Sequence, residues 1–240
     1  MQKIATLFIA AISTLLLFSS FQPATPTLTG AWGYGPAGNR TVMICSGNVF
    51  SVATYDITGK KFRTSYGGTW QVKANQLVQQ IEWNSADSTT VGKEISSTIK
   101  LSNQQLSFNN QQWEKLDDGG PGEVAGVWII TGTYNNDKVS KRASPFFPRR
   151  TMKVLSGKYF HWIAYHVTNK QFINAGGGTY TTVNGKYTEN IAFFTKTAES
   201  VGKSLSFDYS FVNGDWRHRG EKSTGGAMDE CWTRRETLEK

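Results

Sequence analysis

The chain has 240 residues and a formal net charge of +8, with 26 Lys and Arg against 18 Asp and Glu. No segment after the N-terminus is apolar enough to span a membrane, which takes about 20 consecutive apolar residues. The chain has only two cysteines, and neither has a neighbouring histidine, which argues against a zinc site. No cofactor motif is present, and nucleic-acid binding is not expected.

The first residues are typical of a secretory signal peptide. Met1-Gln2-Lys3 provides a short positive start, and Ile4–Phe18 is an apolar run that is short for a membrane-spanning helix. We therefore expect residues 1–24 to be removed, with cleavage within residues 20–27 and Ala24 as one candidate position. The mature protein is expected to be soluble, without a transmembrane segment, and secreted or periplasmic.

The rest of the chain contains an internal repeat. At a shift of 110 positions, residues 40–101 align with residues 150–211 without a gap, and 17 of the 62 pairs are identical. A repeat of this length is a domain, because solenoid units run about 20 to 50 residues. We predict one domain at residues 28–117, a Gly- and Pro-containing linker at residues 118–123 and a second domain at residues 124–236. Charged or aromatic positions present in only one copy are candidates for function.

Both domains are predicted to be all-β. Strand-like runs recur about every ten residues, and Asn184-Gly185 and Asn213-Gly214 are strong hairpin signals. The strands predicted in the second copy are 126–131, 149–155, 159–167, 171–174, 179–183, 187–195, 203–212, 216–221 and 229–235. Gly176-Gly177-Gly178 is interpreted as a break between two of them. Hairpins between sequence neighbours favour two tandem antiparallel up-and-down β-barrels of about 8–10 strands each.

Both copies share a pattern of tryptophans at their ends. Each copy opens with Gly-x-Trp, at Gly30-Ala31-Trp32 and at Gly126-Val127-Trp128. Each ends with a tryptophan followed two residues later by a cation, at Trp113/Lys115 and Trp232/Arg234. Together with the hairpin series, this resembles the calycin superfamily, which includes lipocalins and fatty-acid-binding proteins. The resemblance implies calycin-like barrels in which the first tryptophan packs at the closed end beneath the cation.

The second copy also resembles a group of exported bacterial lipocalin-like domains of unassigned function. The residues that carry this likeness are Phe160-His161-Trp162, Gly177-Gly178-Thr179-Tyr180, Tyr187-Thr188-Glu189 and Glu230-Cys231-Trp232. The likeness implies a fold more firmly than an activity, because one fold hosts many functions.

An aromatic set in the second copy is the candidate binding pocket, since ligand pockets are mostly apolar and aromatic with a few polar groups. Its members are Phe160, Trp162, Tyr180 and Tyr187. The corresponding residues of the first copy are Phe50, Val52, Trp70 and Leu77. The alternative is ordinary core packing, because small barrels fill their interiors with side chains.

Glu189 is the candidate polar group of this pocket. Period-two alternation predicts that it shares one strand face with Tyr187, Ile191 and Phe193. A carboxylate inside a barrel must be paired or neutralised. Gln79 takes its place in the first copy, so the fold does not require the charge. The alternative is a break in the alternation that leaves Glu189 at the barrel mouth or outside.

Two arginines are candidate ligand contacts. Arg150 begins the second predicted strand of its copy, as Arg40 does in the first. The resemblance to fatty-acid-binding proteins implies that an interior arginine holds a ligand carboxylate, whereas its presence in both copies suits a structural ion pair. Arg217 and Arg219 share a face of a late strand, and Arg217 is the second candidate.

Three functions follow from these patterns. The leading hypothesis is non-catalytic binding of a small apolar or amphipathic molecule in the second barrel. The second is a filled-barrel interaction module whose basic insertion, residues 133–148, binds an anionic lipid, an anionic glycan or a protein. The third is an enzyme that uses Glu189 as acid or base, with Tyr187 or His161 assisting. Cys45 and Cys231 either bridge the domains or are buried thiols.

Overall fold

The computed structural model describes residues 27–144, 146–222 and 225–239, so the predicted signal peptide lies outside the described residues. They form two antiparallel sheets of nine strands each, one from each copy of the repeat. The helical segments are 3-10 turns at Ala37–Asn39, Ser88–Thr90 and Ala198–Ser200 and one α-helical turn, α1, at Arg235–Leu238. Within these ranges no helix has the length and apolar character needed to cross a membrane.

The first sheet curls into a nearly closed barrel. Its strands are β1 (Gly30–Tyr34), β2 (Arg40–Ser46), β3 (Val49–Asp56), β4 (Lys61–Lys73), β5 (Gln76–Asn84), β6 (Glu94–Thr98), β7 (Lys100–Leu101), β8 (Gln105–Phe108) and β9 (Gln111–Asp117). Their spatial order is β6-β5-β4-β3-β2-β1-β9-β8-β7. The two edge strands, β6 and β7, follow each other along the chain with Ile99 between them. The barrel is therefore complete except at this one interrupted strand.

The second sheet is a closed barrel of eight strands with one additional hairpin strand. Its strands are β10 (Gly126–Asn135), β11 (Lys138–Lys141), β12 (Arg149–Leu155), β13 (Tyr159–His166), β14 (Gln171–Val183), β15 (Lys186–Phe194), β16 (Ser204–Val212), β17 (Asp215–Glu221) and β18 (Ala227–Arg234). Closure comes from β10, which pairs with both β12 and β18, while β11 pairs with β10 inside the basic insertion. The predicted pair of tandem antiparallel barrels is confirmed.

In each barrel a cation lies over the ring of a tryptophan on the first strand. The ammonium of Lys115 lies 4.9 Å from the ring centroid of Trp32, and the guanidinium of Arg234 lies 4.0 Å from that of Trp128. Each indole N–H also donates to the backbone carbonyl four residues earlier. A cation–π contact contributes roughly 0.5–2 kcal/mol. Because both copies keep this arrangement, it serves the fold.

Strands β14 and β15 differ from the sequence predictions in two respects. The strand β14 runs unbroken through Gly176-Gly177-Gly178, where the sequence predicts a break. A Cβ on Gly178 would stand 1.9 Å from the carbonyl oxygen of Asn190, so close approach of β15 requires this glycine. The register shifts between Gly177 and Gly178, which adds a residue to β15 and turns Phe193 outward. The prediction that Phe193 shares a face with Glu189 is therefore wrong.

The outer faces of the two barrels pack together around an approximate two-fold axis. Residues 110 positions apart meet on this axis: Ser51 Oγ lies 2.9 Å from His161 Nδ1, and the rings of Phe62 and Phe172 stack 5.7 Å apart. His161 is buried in this interface, and burial lowers the pKa of its imidazole to about 3. His161 is therefore neutral, and it faces the first barrel rather than the interior of its own.

Contacts away from the axis occur in matched pairs, as expected of a two-fold interface. The ring of Tyr55 stacks on Phe193 at 4.7 Å, and the ring of Trp83 lies 5.0 Å from that of Tyr165. One buried apolar cluster runs across the interface: Ala31, Val42, Ile44, Val49, Ala53, Tyr55 and Trp83 from the first barrel, and Ile129, Met152, Val154, Ile163, Tyr165, Ala175 and Phe193 from the second. The strands β2, β3, β12 and β13 therefore bury both of their faces.

The two cysteines are free thiols. Cys45 lies in the interior core of the first barrel, and Cys231 lies on β18 beside Thr131. Both are buried, and burial raises the pKa of each thiol. The structure therefore contains two buried thiols rather than a bridge between the domains.

Candidate functional site

The interior of the second barrel holds a cavity of about 370 Å³. Three of the predicted site residues line it: Phe160, Trp162 and Glu189. Further apolar wall residues are Ile191, Phe194, Leu205, Phe207, Met228 and Trp232. The volume falls at the lower end of the range for small-molecule sites, about 300 to 1,000 Å³, and the walls have the mostly apolar character of such sites.

A buried ion pair between Lys153 and Glu189 lines the cavity. The sequence predicts Glu189 as a site residue but not Lys153. Lys153 Nζ on β12 lies 2.7 Å from Glu189 Oε1 on β15, and the two residues are only 3% and 7% exposed. Aromatic rings surround the ammonium, with centroids at 4.8 Å for Tyr187, 5.0 Å for Trp216 and 5.4 Å for Trp232. Glu189 is thus an interior carboxylate paired with a cation, as a buried carboxylate must be.

A buried ion pair such as Lys153–Glu189 adds little to the stability of a fold. Removing two charges from water costs several kcal/mol for each ion, and their mutual attraction often does no more than offset that cost. Well-packed apolar residues in the same place are often as stable or more stable. The presence of Lys153 and Glu189 inside a small barrel therefore points to a role other than holding the barrel together.

A neutral histidine lies beside the pair. His218 on β17 is 2% exposed and lines the cavity, and neither of its ring nitrogens has a hydrogen-bond partner within the described ranges. Its Nδ1 lies 3.5 Å from Glu230 Oε2, at the outer limit of a hydrogen bond. Burial first, and the charge of Lys153 second, lower the pKa of His218 to about 4. At neutral pH it offers one donor and one acceptor.

Glu230 is the second carboxylate of the cavity. Burial alone would raise its pKa, but the nearby imidazole of His218, the charge of Lys153 and a hydrogen bond from Trp232 hold that pKa below its usual value. The indole N–H of Trp232 donates to Glu230 Oε2 at 3.0 Å. The cavity lining therefore contains two carboxylates, one imidazole with unused hydrogen-bonding capacity and three lysines, Lys153, Lys196 and Lys222.

The first barrel has no such polar centre at the equivalent positions. Met43 stands in place of Lys153, and Gln79 stands in place of Glu189. The Gln79 side chain is buried, and its amide nitrogen has no hydrogen-bond partner within the residues that the structure covers. Large apolar side chains occupy this interior: Trp32, Met43, Phe50, Val52, Leu77, Ile81, Leu106, Phe108 and Trp113. Both charges of the second barrel are thus absent from the first.

Two of the predicted pocket residues lie behind the cavity. Tyr180 is buried, and its hydroxyl donates to the carbonyl oxygen of Ser156 at 2.6 Å. Tyr187 is also buried, beneath the ammonium of Lys153. Burial first, and the Glu189 carboxylate second, raise the pKa of the Tyr187 phenol well above its usual value. Both tyrosines therefore support the cavity from the surrounding core.

The structure places the two candidate arginines away from the cavity. Arg150 lies between the barrels, where its Nη1 is 3.1 Å from Glu82 Oε2. Arg217 lies on the outside of the second barrel, with nitrogens 2.6 Å from oxygens of both Asp137 and Asp229. Successive side chains of a strand point to opposite faces of the sheet. Arg150 and Arg217 therefore point outward. Lys153 on β12 and His218 on β17 point into the cavity.

Metal binding gains no support from the side chains that the structure describes, since among them no three His, Cys, Asp or Glu residues are grouped to hold an ion. In comparisons with known proteins, no protein-family model matches this chain, and no curated protein sequence matches it. The function must therefore be inferred from the geometry of the cavity and from the difference between the two barrels.

Proposed function

We propose that this protein binds a small, mostly apolar molecule in the cavity of its second barrel, without catalysis. The observation that carries the proposal is the buried Lys153–Glu189 pair at the wall of a 370 Å³ cavity. Its absence from the first barrel means that the fold forms without it. A charged pair that the fold does not require, placed at a cavity with apolar walls, is the arrangement of a binding site.

The polar groups of the cavity indicate the chemistry of the ligand. His218 is buried and neutral, and its ring nitrogens have no protein partner among the described residues. An unsatisfied buried polar group costs about 1–3 kcal/mol, and a ligand that bonds to it recovers that cost. A hydroxyl or amide group on the ligand would complement the imidazole, while Lys153 and Glu189 already neutralise each other. We therefore infer an amphipathic ligand whose polar group bonds to His218, and Lys196 and Lys222 in the cavity lining favour an acidic group over a basic one.

Two further proposals concern the family and the location of the protein. Membership of the calycin superfamily is supported by the tryptophan–cation contacts at Trp32/Lys115 and Trp128/Arg234, which match the closed end that the resemblance implies. Export from the cytoplasm is supported by the sequence of residues 1–24. A protein in that location would carry or sequester its ligand outside the cytoplasm.

Native mass spectrometry of the mature protein, followed by extraction under denaturing conditions, tests the proposal. We expect a small molecule bound in a one-to-one ratio. In parallel, the mature protein is titrated with the fluorescent apolar probe 1-anilinonaphthalene-8-sulfonate. Trp162→Ala is expected to weaken probe binding about tenfold, because it removes an aromatic wall. The matched control is Val52→Ala, the equivalent position in the first barrel, which should leave affinity unchanged. Equal affinities in both variants would contradict the proposal.

The interaction module is the second candidate. Part of the basic insertion forms the β10–β11 hairpin, on which Val139 is 45% exposed, and Phe147 beyond it is 39% exposed. Lys141 is already paired with Asp215 at 2.5 Å, which reduces the charge available for an anionic partner. Salt-dependent retention on anionic vesicles that disappears when residues 133–148 are deleted would favour this alternative over ligand binding in the barrel.

Acid–base catalysis by Glu189 stays a prediction. Glu189 Oε1 already lies 2.7 Å from the ammonium of Lys153, so a substrate would have to compete with Lys153 for this carboxylate. A Glu189→Gln variant that retains full turnover of a candidate substrate would contradict this alternative.

A further inference from the structure

The approximate two-fold axis creates two equivalent crevices between the barrels, and the protein fills one of them with its own carboxylate. In this filled crevice, Glu82 of the first barrel receives three groups from the second. Arg235 Nη2 lies 2.5 Å from Glu82 Oε1, Arg150 Nη1 lies 3.1 Å from Oε2, and the hydroxyl of Tyr165 donates to Oε2 at 2.5 Å. Burial alone would raise the pKa of Glu82, but these charges and hydrogen bonds hold it below its usual value.

The equivalent crevice on the other side of the axis lacks the carboxylate. Arg40 and Tyr55 correspond to Arg150 and Tyr165 at the 110-residue shift, whereas Ala192 stands in the place of Glu82. All three residues line a cavity of about 360 Å³, separate from the one inside the second barrel. The crevice thus keeps two of the three groups that hold the carboxylate on the filled side, lacks an arginine equivalent to Arg235 among its described lining residues, and has space where the carboxylate would be.

The charge of this open crevice is also suited to an anion. Lys203 lines it together with Arg40, and none of its described lining residues is acidic. Ser204 occupies the position at which the first copy has Glu94, so a second negative charge is also lost on this side. Arg40 Nη2 lies 2.7 Å from Glu114, whose side chain is 63% exposed, and Arg40 Nη1 donates to the backbone carbonyl of Gly35 at 3.0 Å. An ion pair this exposed contributes little, so it competes weakly with an incoming carboxylate.

We propose that the open crevice is a binding site for a small monocarboxylic acid. The ligand carboxylate takes the position that mirrors Glu82, accepting hydrogen bonds from Arg40 and from the hydroxyl of Tyr55. Val42, Ile57 and Ile191 provide apolar walls for the rest of the ligand. Arginine suits this role because its permanently charged guanidinium carries five N–H donors, and Arg150 uses one nitrogen to contact Glu82 on the filled side. The site is independent of the cavity proposed above and does not depend on its function.

The test uses benzoate as the probe and benzyl alcohol as its uncharged control, with the mature protein at neutral pH. Binding is followed by calorimetry and by NMR of the Ala192 methyl group and the Tyr55 ring. We expect saturable shifts at both residues with benzoate and none with benzyl alcohol. Arg40→Met should weaken benzoate binding roughly tenfold or more, because it removes a charge-assisted hydrogen bond. Arg219→Met, at an exposed arginine outside the crevice, is the matched control and should bind as the wild type does.

A second variant fills the crevice without removing any of its groups. Ala192→Glu places a carboxylate opposite Arg40, as Glu82 is placed opposite Arg150, and should abolish benzoate binding while leaving the chain folded. The double variant Lys153→Met/Glu189→Gln, inside the second barrel, should retain it. Three results would overturn the proposal: no saturable benzoate shift at Ala192 and Tyr55, equal binding of benzyl alcohol, or undiminished benzoate binding by the Ala192→Glu variant.

Discussion

The two barrels share a series of antiparallel hairpins and the same tryptophan–cation contact, yet their interiors differ. The first is occupied by apolar side chains around Met43 and Gln79. The second holds a cavity, and the equivalent positions carry Lys153 and Glu189 as a buried ion pair. The first barrel shows what this fold needs, so the polar centre of the second is an addition to it. The same comparison applied to the interface shows one crevice filled by Glu82 and one open at Ala192.

The largest expected effect comes from breaking the ion pair on one side only. Lys153→Met leaves the Glu189 carboxylate unpaired among aromatic rings, which should lower the free energy of unfolding by about 3–5 kcal/mol. The double variant Lys153→Met/Glu189→Gln installs the residues of the first barrel and should recover most of that loss. Urea denaturation measures both. Equal losses in the single and double variants would mean that the two charges do not act as a pair.

The filled crevice offers the next prediction. Glu82→Ala leaves Arg150 and Arg235 without their shared carboxylate and should reduce the free energy of unfolding by about 3 kcal/mol, as for the loss of one partner of a buried pair. Glu94→Ala removes an exposed carboxylate from the same barrel and should change it by less than about 0.5 kcal/mol. Thermal unfolding compares the two. A loss no larger than that of Glu94→Ala would mean that Glu82 does not hold the barrels together.

Acid is expected to destabilise the folded protein, first through its two buried histidines. His161 and His218 have pKa values lowered to about 3 and about 4, so the unfolded state binds more protons than the folded state below pH 6.5. Each histidine should lower the free energy of unfolding by up to about 1.4 kcal/mol per pH unit as the pH falls from 6.5 toward its folded pKa. The lowered pKa of Glu82 adds a further loss of stability at more acidic pH, below about pH 4.5.

The equivalent positions of the first copy supply the control for this pH dependence. Phe108 lies 110 positions before His218 and is buried in the first barrel. His218→Phe should therefore reduce the slope of stability against pH between pH 6.5 and 4, measured by denaturation at a series of pH values. An unchanged slope would show that His218 is already protonated in the folded protein or is exposed to solvent.

The smallest expected effect concerns the thiols. Because Cys45 and Cys231 are free and buried in different barrels, reducing agents should leave the unfolding temperature unchanged. Thiol reagents should modify both only after unfolding. An intact mass lighter by two hydrogens, together with a lower unfolding temperature in reductant, would instead show a bridge between the barrels.

The sequence predicts the barrels well because their signals are local or repeated. Hairpin turns, strand alternation and the closing tryptophans are each readable over a few residues. The bulge in β15 cannot be predicted in this way. The extra residue, Ala192, has apolar residues on both sides, so the sequence gives no sign that the alternation shifts there. Phe193 packs against Tyr55 of the first barrel. The alternation alone wrongly places it in the interior of the second barrel.

The polar centre is only half predictable. Glu189 stands out as a charge in an alternating apolar strand, whereas Lys153 lies in the basic start of β12 and resembles a surface residue. The signal that would have found it is the joint change between copies, Met43 to Lys153 and Gln79 to Glu189. Arg150 and Arg217 could not be assigned to the outer face from the sequence. Alternation shows which residues share a strand face, but not which face points inward.

The central claim is that the ion pair belongs to a ligand site and not to the fold. Calorimetric titration of 1-anilinonaphthalene-8-sulfonate into the wild type and into the Lys153→Met/Glu189→Gln variant tests it most directly. The variant should remain folded with near wild-type stability, as the first barrel does with the same two residues, and should bind the probe at least about tenfold more weakly. A folded variant that binds the probe as tightly as the wild type would contradict the claim.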